Sequence, residues 1–90
     1  MAYKVEWHEG IEDDLKKLDK ELARKIIDRI KTYLVQDPVN IGKPLEGQFS
    51  GQWKYRYGDY RVIYVVDMEA QLMKVLRIRH GKLVYKEKRK

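Results

Sequence analysis

The chain has 90 residues, of which 38% are charged and none is cysteine, and its formal net charge is +6. A disulfide framework and a thiolate metal site are therefore excluded, and no apolar run approaches the roughly 20 residues that a membrane-spanning helix needs. Because the N-terminus also lacks a signal-peptide pattern, we expect a single cytoplasmic domain over residues 1–90 that ends in a short basic tail.

The first third of the sequence predicts a strand and two helices. Residues 3–7 alternate apolar and charged side chains, as a half-buried strand does. A first helix is predicted by apolar residues at helical spacing, namely Ile11, Leu15 and Leu18. Asp19 is a suitable N-cap for a second helix, which should end at Asp37-Pro38 because the residue before proline disfavours helical backbone. Its predicted apolar stripe consists of Leu22, Ile26, Ile30 and Tyr33 or Leu34. We interpret the mixed charges on both helices as solvated surface.

The rest of the chain predicts a loop followed by three strands. Residues 38–51 hold both prolines and three glycines, so we expect a connecting loop there. Gln52–Asp67 predicts two strands joined by a two-residue turn at Gly58-Asp59, and Leu72–Arg79 predicts another strand. This order predicts an α+β domain: a small, mainly antiparallel β-α-α-β-β-β sheet with a helical hairpin packed on one face.

The turn at Gly58-Asp59 determines which side chains of the hairpin share a face. If Tyr57 pairs with Tyr60, alternation along the strands places together Trp53, Tyr55, Tyr57, Tyr60, Val62, Tyr64 and Val66. The other face then carries Lys54, Arg56, Arg61, Ile63 and Val65. In the last strand, strict alternation separates Leu72, Leu76 and Ile78 from Met73, Val75, Arg77 and Arg79.

The second face of the hairpin is the first candidate site. Arg56 is predicted to lie directly opposite Arg61, a like-charge pair that a sheet normally avoids, and an anionic partner such as a phosphate would explain it.

The positive charge is concentrated in the second part of the chain. Residues 1–37 hold eight Lys/Arg and nine Asp/Glu, whereas residues 38–90 hold twelve Lys/Arg and five Asp/Glu. Such a concentrated positive field is typical of proteins that bind a polyanion, most often nucleic acid. A solvated basic surface that serves solubility is the alternative.

Further candidates follow the last strand. Arg79, His80, Lys82 and Tyr85 come at or after its end, and the basic tail adds Lys86, Lys88 and Arg89. Together with the hairpin, they could hold a phosphate and offer stacking surface for bases. The structural alternatives are that Lys54 and Arg56 are simply outward strand residues, that His80 is a hydrogen-bonding residue at a strand end, and that Tyr85 lies at the edge of the core. No metal-ligand spacing or phosphate-binding glycine loop is present, so we expect no cofactor.

These motifs carry a resemblance to a known family. Leu45-Glu46-Gly47, the pattern W-x-Y-R-x-G-D-Y-R-V-I-Y over residues 53–64, and the segments Val75–His80 and Val84-Tyr85 resemble the RelE/ParE family of type II toxin–antitoxin toxins, and more closely its RelE branch. The resemblance covers nearly the whole chain, from the opening strand to the last.

In the RelE branch, the resemblance implies a ribosome-dependent mRNA endonuclease that cleaves codons in the A site. The ribose 2′-hydroxyl attacks the adjacent phosphate, and no metal is required. Lys54, Arg56 and Arg61 match the family's basic strand positions, and Tyr85 matches its C-terminal tyrosine. The family commonly has an arginine, a candidate acid for the leaving oxygen, where this chain has Gly81. Arg79 or Lys82 is a possible substitute.

Two other functions remain open within the same resemblance. A ParE-like inhibitor of DNA gyrase acts by binding and needs no cationic catalytic cluster. A catalytically weak module would serve mainly to bind an antitoxin. Each toxin hypothesis implies a cognate acidic or amphipathic antitoxin that wraps the helices and covers the basic face, with any DNA contact made through the antitoxin.

Overall fold

The computed structural model describes residues 2–81, which form a five-stranded sheet with helices. The strands are β1 (Lys4–Trp7), β2 (Lys43–Pro44), β3 (Trp53–Tyr57), β4 (Tyr60–Asp67) and β5 (Leu72–His80). The helices are α1 (Ile11–Lys16), α2 (Lys20–Thr32) and α3 (Pro38–Ile41), and short 3-10 turns cover Leu34–Gln36 and Gly47–Phe49. Within these residues, no helix is long and apolar enough to cross a membrane.

The sheet has the order β1-β5-β4-β3-β2, and among the strands of residues 2–81 only β1 and β5 form a parallel pair. The predicted α+β class and mainly antiparallel sheet are thus confirmed. The hairpin register is also confirmed, because Tyr57 pairs with Tyr60 and Arg56 with Arg61. A parallel β1–β5 pair needs a long crossover, which the helices and the β2–β4 segment supply.

The core lies between the helices and the aromatic face of the hairpin. Its buried residues from the helical half are Ile11, Ile26, Ile30, Leu34 and Val35, and those from the strands are Val62, Tyr64, Met73, Val75 and Ile78. Asp19 caps α2 as predicted, since its carboxylate accepts hydrogen bonds from the backbone N–H of Glu21 and Leu22. The apolar stripe of α2 continues into Leu34, whereas Tyr33 is 44% exposed.

Two predictions about the middle of the chain are wrong. The helix α2 ends at Thr32 rather than at Asp37, because the chain tightens into the 3-10 turn that buries Leu34 and Val35. Residues 38–51 are not only a loop: α3 begins at Pro38, a favoured first residue of a helix. The edge strand β2 then pairs Lys43 with Lys54 and Pro44 with Trp53.

The predicted alternation of β5 is wrong as well. Tyr64 pairs with Val75, but the preceding residue Ile63 pairs with Arg77, so Leu76 is an extra residue on β5. This bulge reverses the alternation after Val75, because β5 has one residue, Leu76, between two paired positions that are consecutive on β4. Met73, Val75 and Ile78 therefore share the core face, and Arg77 and Arg79 lie on the opposite, open face.

Candidate functional site

Three arginines form a row across the open face of the sheet. Arg61 on β4 is the direct partner of Arg56 on β3 and of Arg79 on β5. Side chains at directly opposed positions point to the same face, with Cβ atoms about 5 Å apart. The row therefore concentrates three guanidinium groups at the end of the sheet that carries the hairpin turn.

The bulge at Leu76 places the third arginine in this row. Regular alternation from the buried Met73 and Val75 would direct Arg77 and Arg79 into the core. The extra residue returns Ile78 to the core and brings Arg79 beside Arg61. Bulges are frequent next to functional sites because they re-aim side chains in this way.

A second row of cations lies one side-chain repeat further along the strands. It runs from Lys43 on β2 through Lys54 on β3 and Ile63 on β4 to Arg77 on β5. The two rows together make the cationic face, which we define as Lys43, Lys54, Arg56, Arg61, Arg77 and Arg79. Further towards the other end of β4 and β5, the open face is mixed, since Val65 pairs with Lys74, and Lys74 with Glu6.

The members of the cationic face differ in exposure. Arg56 is exposed, and its Nε donates a 3.1 Å hydrogen bond to the carbonyl of Gly58, which ties the side chain to the hairpin turn. Lys43 and Arg77 are exposed, whereas Lys54, Arg61 and Arg79 are partly buried. Partial burial lowers the local dielectric, so these three charges act more strongly on an anion than fully solvated charges would.

Arg79 also faces an acidic group. Its Nε lies 3.9 Å from Oδ1 of Asp14 on α1, and the other oxygen of that carboxylate accepts a 3.0 Å hydrogen bond from the backbone N–H of Ile78. Asp14 is buried, so the interpretation of all helix charges as solvated surface is wrong for this residue.

Gly81 packs closely beside Arg61. Its N–H donates a 2.8 Å hydrogen bond to the carbonyl of Asp59, which joins the end of β5 to the hairpin turn. A Cβ atom at this position would lie 3.2 Å from Arg61 Nε and 3.4 Å from Asp59 O. The glycine at the family's arginine position therefore leaves room for the Arg61 side chain.

The structure separates the remaining candidates. His80 pairs with Tyr60, and the two rings meet edge to face at 5.3 Å. Because Tyr60 packs against the core cluster, His80 lies on the helical side of the sheet and not with the arginine row. Lys82, Tyr85, Lys86, Lys88 and Arg89 lie outside the described residues.

Sequence reasoning missed three residues around this site. The sequence places Arg77 on a strand face without a role and Lys43 in a connecting loop. It does not distinguish Asp14 from its exposed neighbours. Only the pairing of β2 with β3 and the position of the bulge bring the first two to the cationic face.

The geometry defines what this surface can do chemically. Guanidinium groups present rigid, paired N–H donors that match phosphate oxygens, and ammonium groups act as point charges. A row of three arginines can therefore bind a phosphodiester and stabilise additional negative charge that develops on it. The second row adds positive charge beside the first, which could attract a second phosphate.

Known proteins show which family the chain resembles. The family model described as "ParE toxin of type II toxin-antitoxin system, parDE" matches residues 5–85. The chain is 29% identical over 86 residues to Toxin RelG of Mycobacterium tuberculosis, which covers 96% of this chain and 99% of that protein.

Solved structures give the same family. The toxin–antitoxin complex RelBE2 from Mycobacterium tuberculosis includes a chain with a TM-score of 0.84 and 29% identity, covering 89% of this chain and 99% of that one. The archaeal RelE–RelB complex from Pyrococcus horikoshii includes one with a TM-score of 0.69 and 28% identity, covering 90% and 97%. Because the family model spans most of the sequence, the chain belongs to the RelE/ParE family of type II toxin–antitoxin toxins.

Proposed function

We propose that this toxin is a ribosome-dependent mRNA endonuclease that cleaves codons in the ribosomal A site. The observation that carries the proposal is the row Arg56–Arg61–Arg79, three arginines at directly paired positions on the open face of the sheet. Like charges at directly opposed positions are normally avoided in a sheet, and a phosphate is the kind of anion that several guanidinium groups can hold together.

The proposed reaction is an internal phosphoryl transfer. The 2′-oxygen of a ribose forms a bond to the adjacent phosphorus while the bond from phosphorus to the 5′-oxygen of the next nucleotide breaks. The 2′-hydroxyl gives its proton to solvent water and the leaving 5′-oxygen takes one up, so the products are a 2′,3′-cyclic phosphate and a 5′-hydroxyl end.

The cationic face would assist this reaction in two ways. Positive charge at Lys54 and Arg56 favours the ionised 2′-oxygen over the neutral hydroxyl, because an opposite charge nearby stabilises the charged form. Arg61 and Arg79 stabilise the extra charge on the pentavalent phosphorus, a contribution of about 10²–10³-fold per donor in comparable sites. Arg79 or Lys82 would supply the proton to the leaving oxygen, and Tyr85 would stack on a base.

The direct test uses a reconstituted translation system with ribosomes stalled at a defined codon. We expect the purified chain to produce new mRNA ends within the A-site codon, detected by primer extension, and to leave the same mRNA intact when ribosomes are omitted. A chain that slows translation while the mRNA remains uncut would overturn the endonuclease proposal.

Inhibition of DNA gyrase is the second candidate function, favoured by the family model, whose description names ParE. It predicts that the chain blocks gyrase-catalysed supercoiling of a relaxed plasmid at concentrations that leave mRNA uncut. Running both assays on one preparation separates the two functions. If neither activity appears, the catalytically weak antitoxin-binding module is the remaining hypothesis.

We also propose that an acidic or amphipathic antitoxin segment binds the helical hairpin. The outer side of α1 and α2 forms an open groove with an apolar floor that includes Leu15, Leu18, Ala23 and Ile27. Four cations border it, Lys16, Lys20, Arg24 and Lys31, against the acids Glu12 and Asp28. The excess of positive charge favours an acidic segment with apolar anchors. Chains in complexes with antitoxins are among the structural neighbours, which supports the pairing.

A further inference from the structure

The carboxylate of Asp14 occupies an unusual position for a charged group. Asp14 lies on α1 between the exposed Asp13 and the partly buried Leu15, yet it is only 9% exposed. Burying a carboxylate without partners is costly, so its surroundings must offset the loss of water. Two groups from β5 do so, namely the backbone N–H of Ile78 and the guanidinium of Arg79.

The first partner follows from the topology of the sheet. The strand β1 pairs with β5 only from Leu72 to Val75, and the last contact is the hydrogen bond from His8 N–H to the carbonyl of Val75. Beyond this point no strand within residues 2–81 pairs with this edge of β5. There, Asp14 Oδ2 accepts a 3.0 Å hydrogen bond from the backbone N–H of Ile78. At Ile78, α1 thus supplies the hydrogen-bond acceptor that a neighbouring strand would otherwise provide.

The second partner connects this cap to the cationic face. Asp14 Oδ1 lies 3.9 Å from Nε of Arg79, the cross-strand partner of Arg61. We propose that Asp14 is a positioning residue for the proposed cleavage reaction, because it holds the Arg79 guanidinium in the row with Arg61 and Arg56. The proposal rests on the proposed endonuclease function for its kinetic consequences, but its structural consequence can be measured without that function.

The proposed role of Asp14 depends on its negative charge. A neutral amide at position 14 could still accept the hydrogen bond of Ile78 N–H, so capping β5 does not require a carboxylate. The negative charge matters to Arg79, which stands beside a second arginine and is repelled by it. A fixed carboxylate on the other side of Arg79 offsets that repulsion and selects one orientation of the side chain.

The experiment compares Asp14→Asn with Asp13→Asn, a matched control in the same helical turn whose carboxylate is exposed. Both variants are assayed for single-turnover cleavage on stalled ribosomes over a range of toxin concentrations. We expect Asp14→Asn to lower the maximal rate about 10-fold or more with little change in half-saturating concentration, since small misplacements of catalytic groups cost up to about 10²-fold. Asp13→Asn should match the wild type. Asp14→Glu, which retains the charge, should recover part of the loss.

A double-mutant cycle distinguishes positioning from general damage. If Asp14 acts through Arg79, Asp14→Asn should cause no further loss of rate in the Arg79→Ala background. An equal fractional loss in both backgrounds would overturn the proposal. Thermal unfolding of each variant accompanies the assay, and a rate loss that follows loss of folded protein would also count against it.

A spectroscopic measurement decides the proposal even if the chain does not cleave RNA. The ¹⁵N–¹H signal of Arg79 Nε, assigned by its loss in Arg79→Ala, reports the environment and order of this side chain. We expect Asp14→Asn to shift this signal and lower its order parameter, and Asp13→Asn to leave it in place. An unchanged Arg79 signal in Asp14→Asn overturns the positioning role, whereas intact mRNA with a shifted signal overturns only the proposed function.

Discussion

Arg61 on β4 and Arg79 on β5 are directly opposed across two hydrogen-bonded strands. Like charges at directly opposed positions of a sheet repel each other. Arg56 extends the same row on the other side of Arg61. The pairing of these strands therefore gathers three arginines on the open face of the sheet.

Replacing Arg61 with alanine should abolish most cleavage while the fold is retained. Arg61 is only partly buried and lies on the open face, so the expected change in unfolding free energy is within about 0.5–1 kcal/mol. The cleavage rate should fall by about 10²-fold or more, because the central guanidinium of the row is lost. Lys74→Ala on the same face, outside the two cationic rows, is the matched control and should remain active. Full toxicity of Arg61→Ala on induction in a bacterial host would show that Arg61 is not catalytic.

Replacing the buried Tyr64 should affect the fold rather than the reaction. Tyr64 is fully buried, and its hydroxyl donates a 2.7 Å hydrogen bond to the carbonyl of Pro38, which ties β4 to the start of α3. Tyr64→Phe leaves that buried carbonyl without this donor and should cost about 1–3 kcal/mol in urea unfolding. Tyr64→Ala also removes the ring and should cost about 3–5 kcal/mol. A Tyr64→Phe variant as stable as the wild type would show that the hydrogen bond contributes nothing net.

The same hydroxyl predicts a pH dependence of stability. Burial raises the pKa of Tyr64 well above its ordinary value, so the folded protein keeps this proton while the unfolded chain releases it near pH 10. The contribution of Tyr64 is therefore fully present below pH 10 and is lost as the pH rises towards the raised pKa, by up to about 1.4 kcal/mol per pH unit. The stability difference between the wild type and Tyr64→Phe should be smaller in urea unfolding at pH 11 than at pH 8. A constant difference would contradict the raised pKa.

Gly42 should tolerate no side chain, because it lies against the hydroxyl of Tyr64. A Cβ atom there would collide with Tyr64 Oη and would lie 2.9 Å from the carbonyl oxygen of Lys54. Gly42→Ala should therefore cost about 1–3 kcal/mol, whereas Gln48→Ala in the exposed loop should be neutral. Tyr64→Phe removes the nearest of the three atoms that this Cβ would meet, the other two being Lys54 O and Tyr64 Cζ. The double variant Gly42→Ala/Tyr64→Phe should therefore lose less stability than the sum of the two single losses, by at least about 0.5 kcal/mol. Strict additivity in chemical denaturation would rule out this contact as the cause.

The hairpin, α1 and the start of α2 could be predicted from the sequence because local signals specify them, whereas the end of α2 and the whole of α3 could not. The two-residue turn at Gly58-Asp59 sets the register of β3 and β4, and with it the Arg56–Arg61 pair. The bulge could not be predicted, because Leu76 is as apolar as the core residues around it and fits a regular strand equally well. Arg77 and Arg79 therefore lie on the open face, although strict alternation groups them with the buried Met73 and Val75.

The role of Asp14 was hidden for a different reason. Glu12, Asp13 and Asp14 are three acids in the first turn of a helix, and nothing in their local sequence separates them. What distinguishes Asp14 is that α1 lies beside the part of β5 that β1 does not reach. Asp14 and Ile78 are 64 residues apart in the chain, so their hydrogen bond becomes visible only in the folded structure.

Gly81 provides the final prediction, since this chain has glycine where the family commonly has arginine. The Cβ of Gly81→Ala would lie 3.2 Å from Arg61 Nε, a contact tight enough to displace the Arg61 side chain by a few tenths of an ångström. We expect the cleavage rate to fall several-fold with little change in thermal stability, because sub-ångström shifts of a catalytic group are sufficient for such losses. Gly81→Arg carries the same Cβ but adds a guanidinium beside the row, so it should be faster than Gly81→Ala. Single-turnover cleavage by the three proteins, with the Arg61 Nε–H signal recorded for each, checks the prediction. Wild-type rates in Gly81→Ala would mean that the close packing of Gly81 against Arg61 has no part in the reaction.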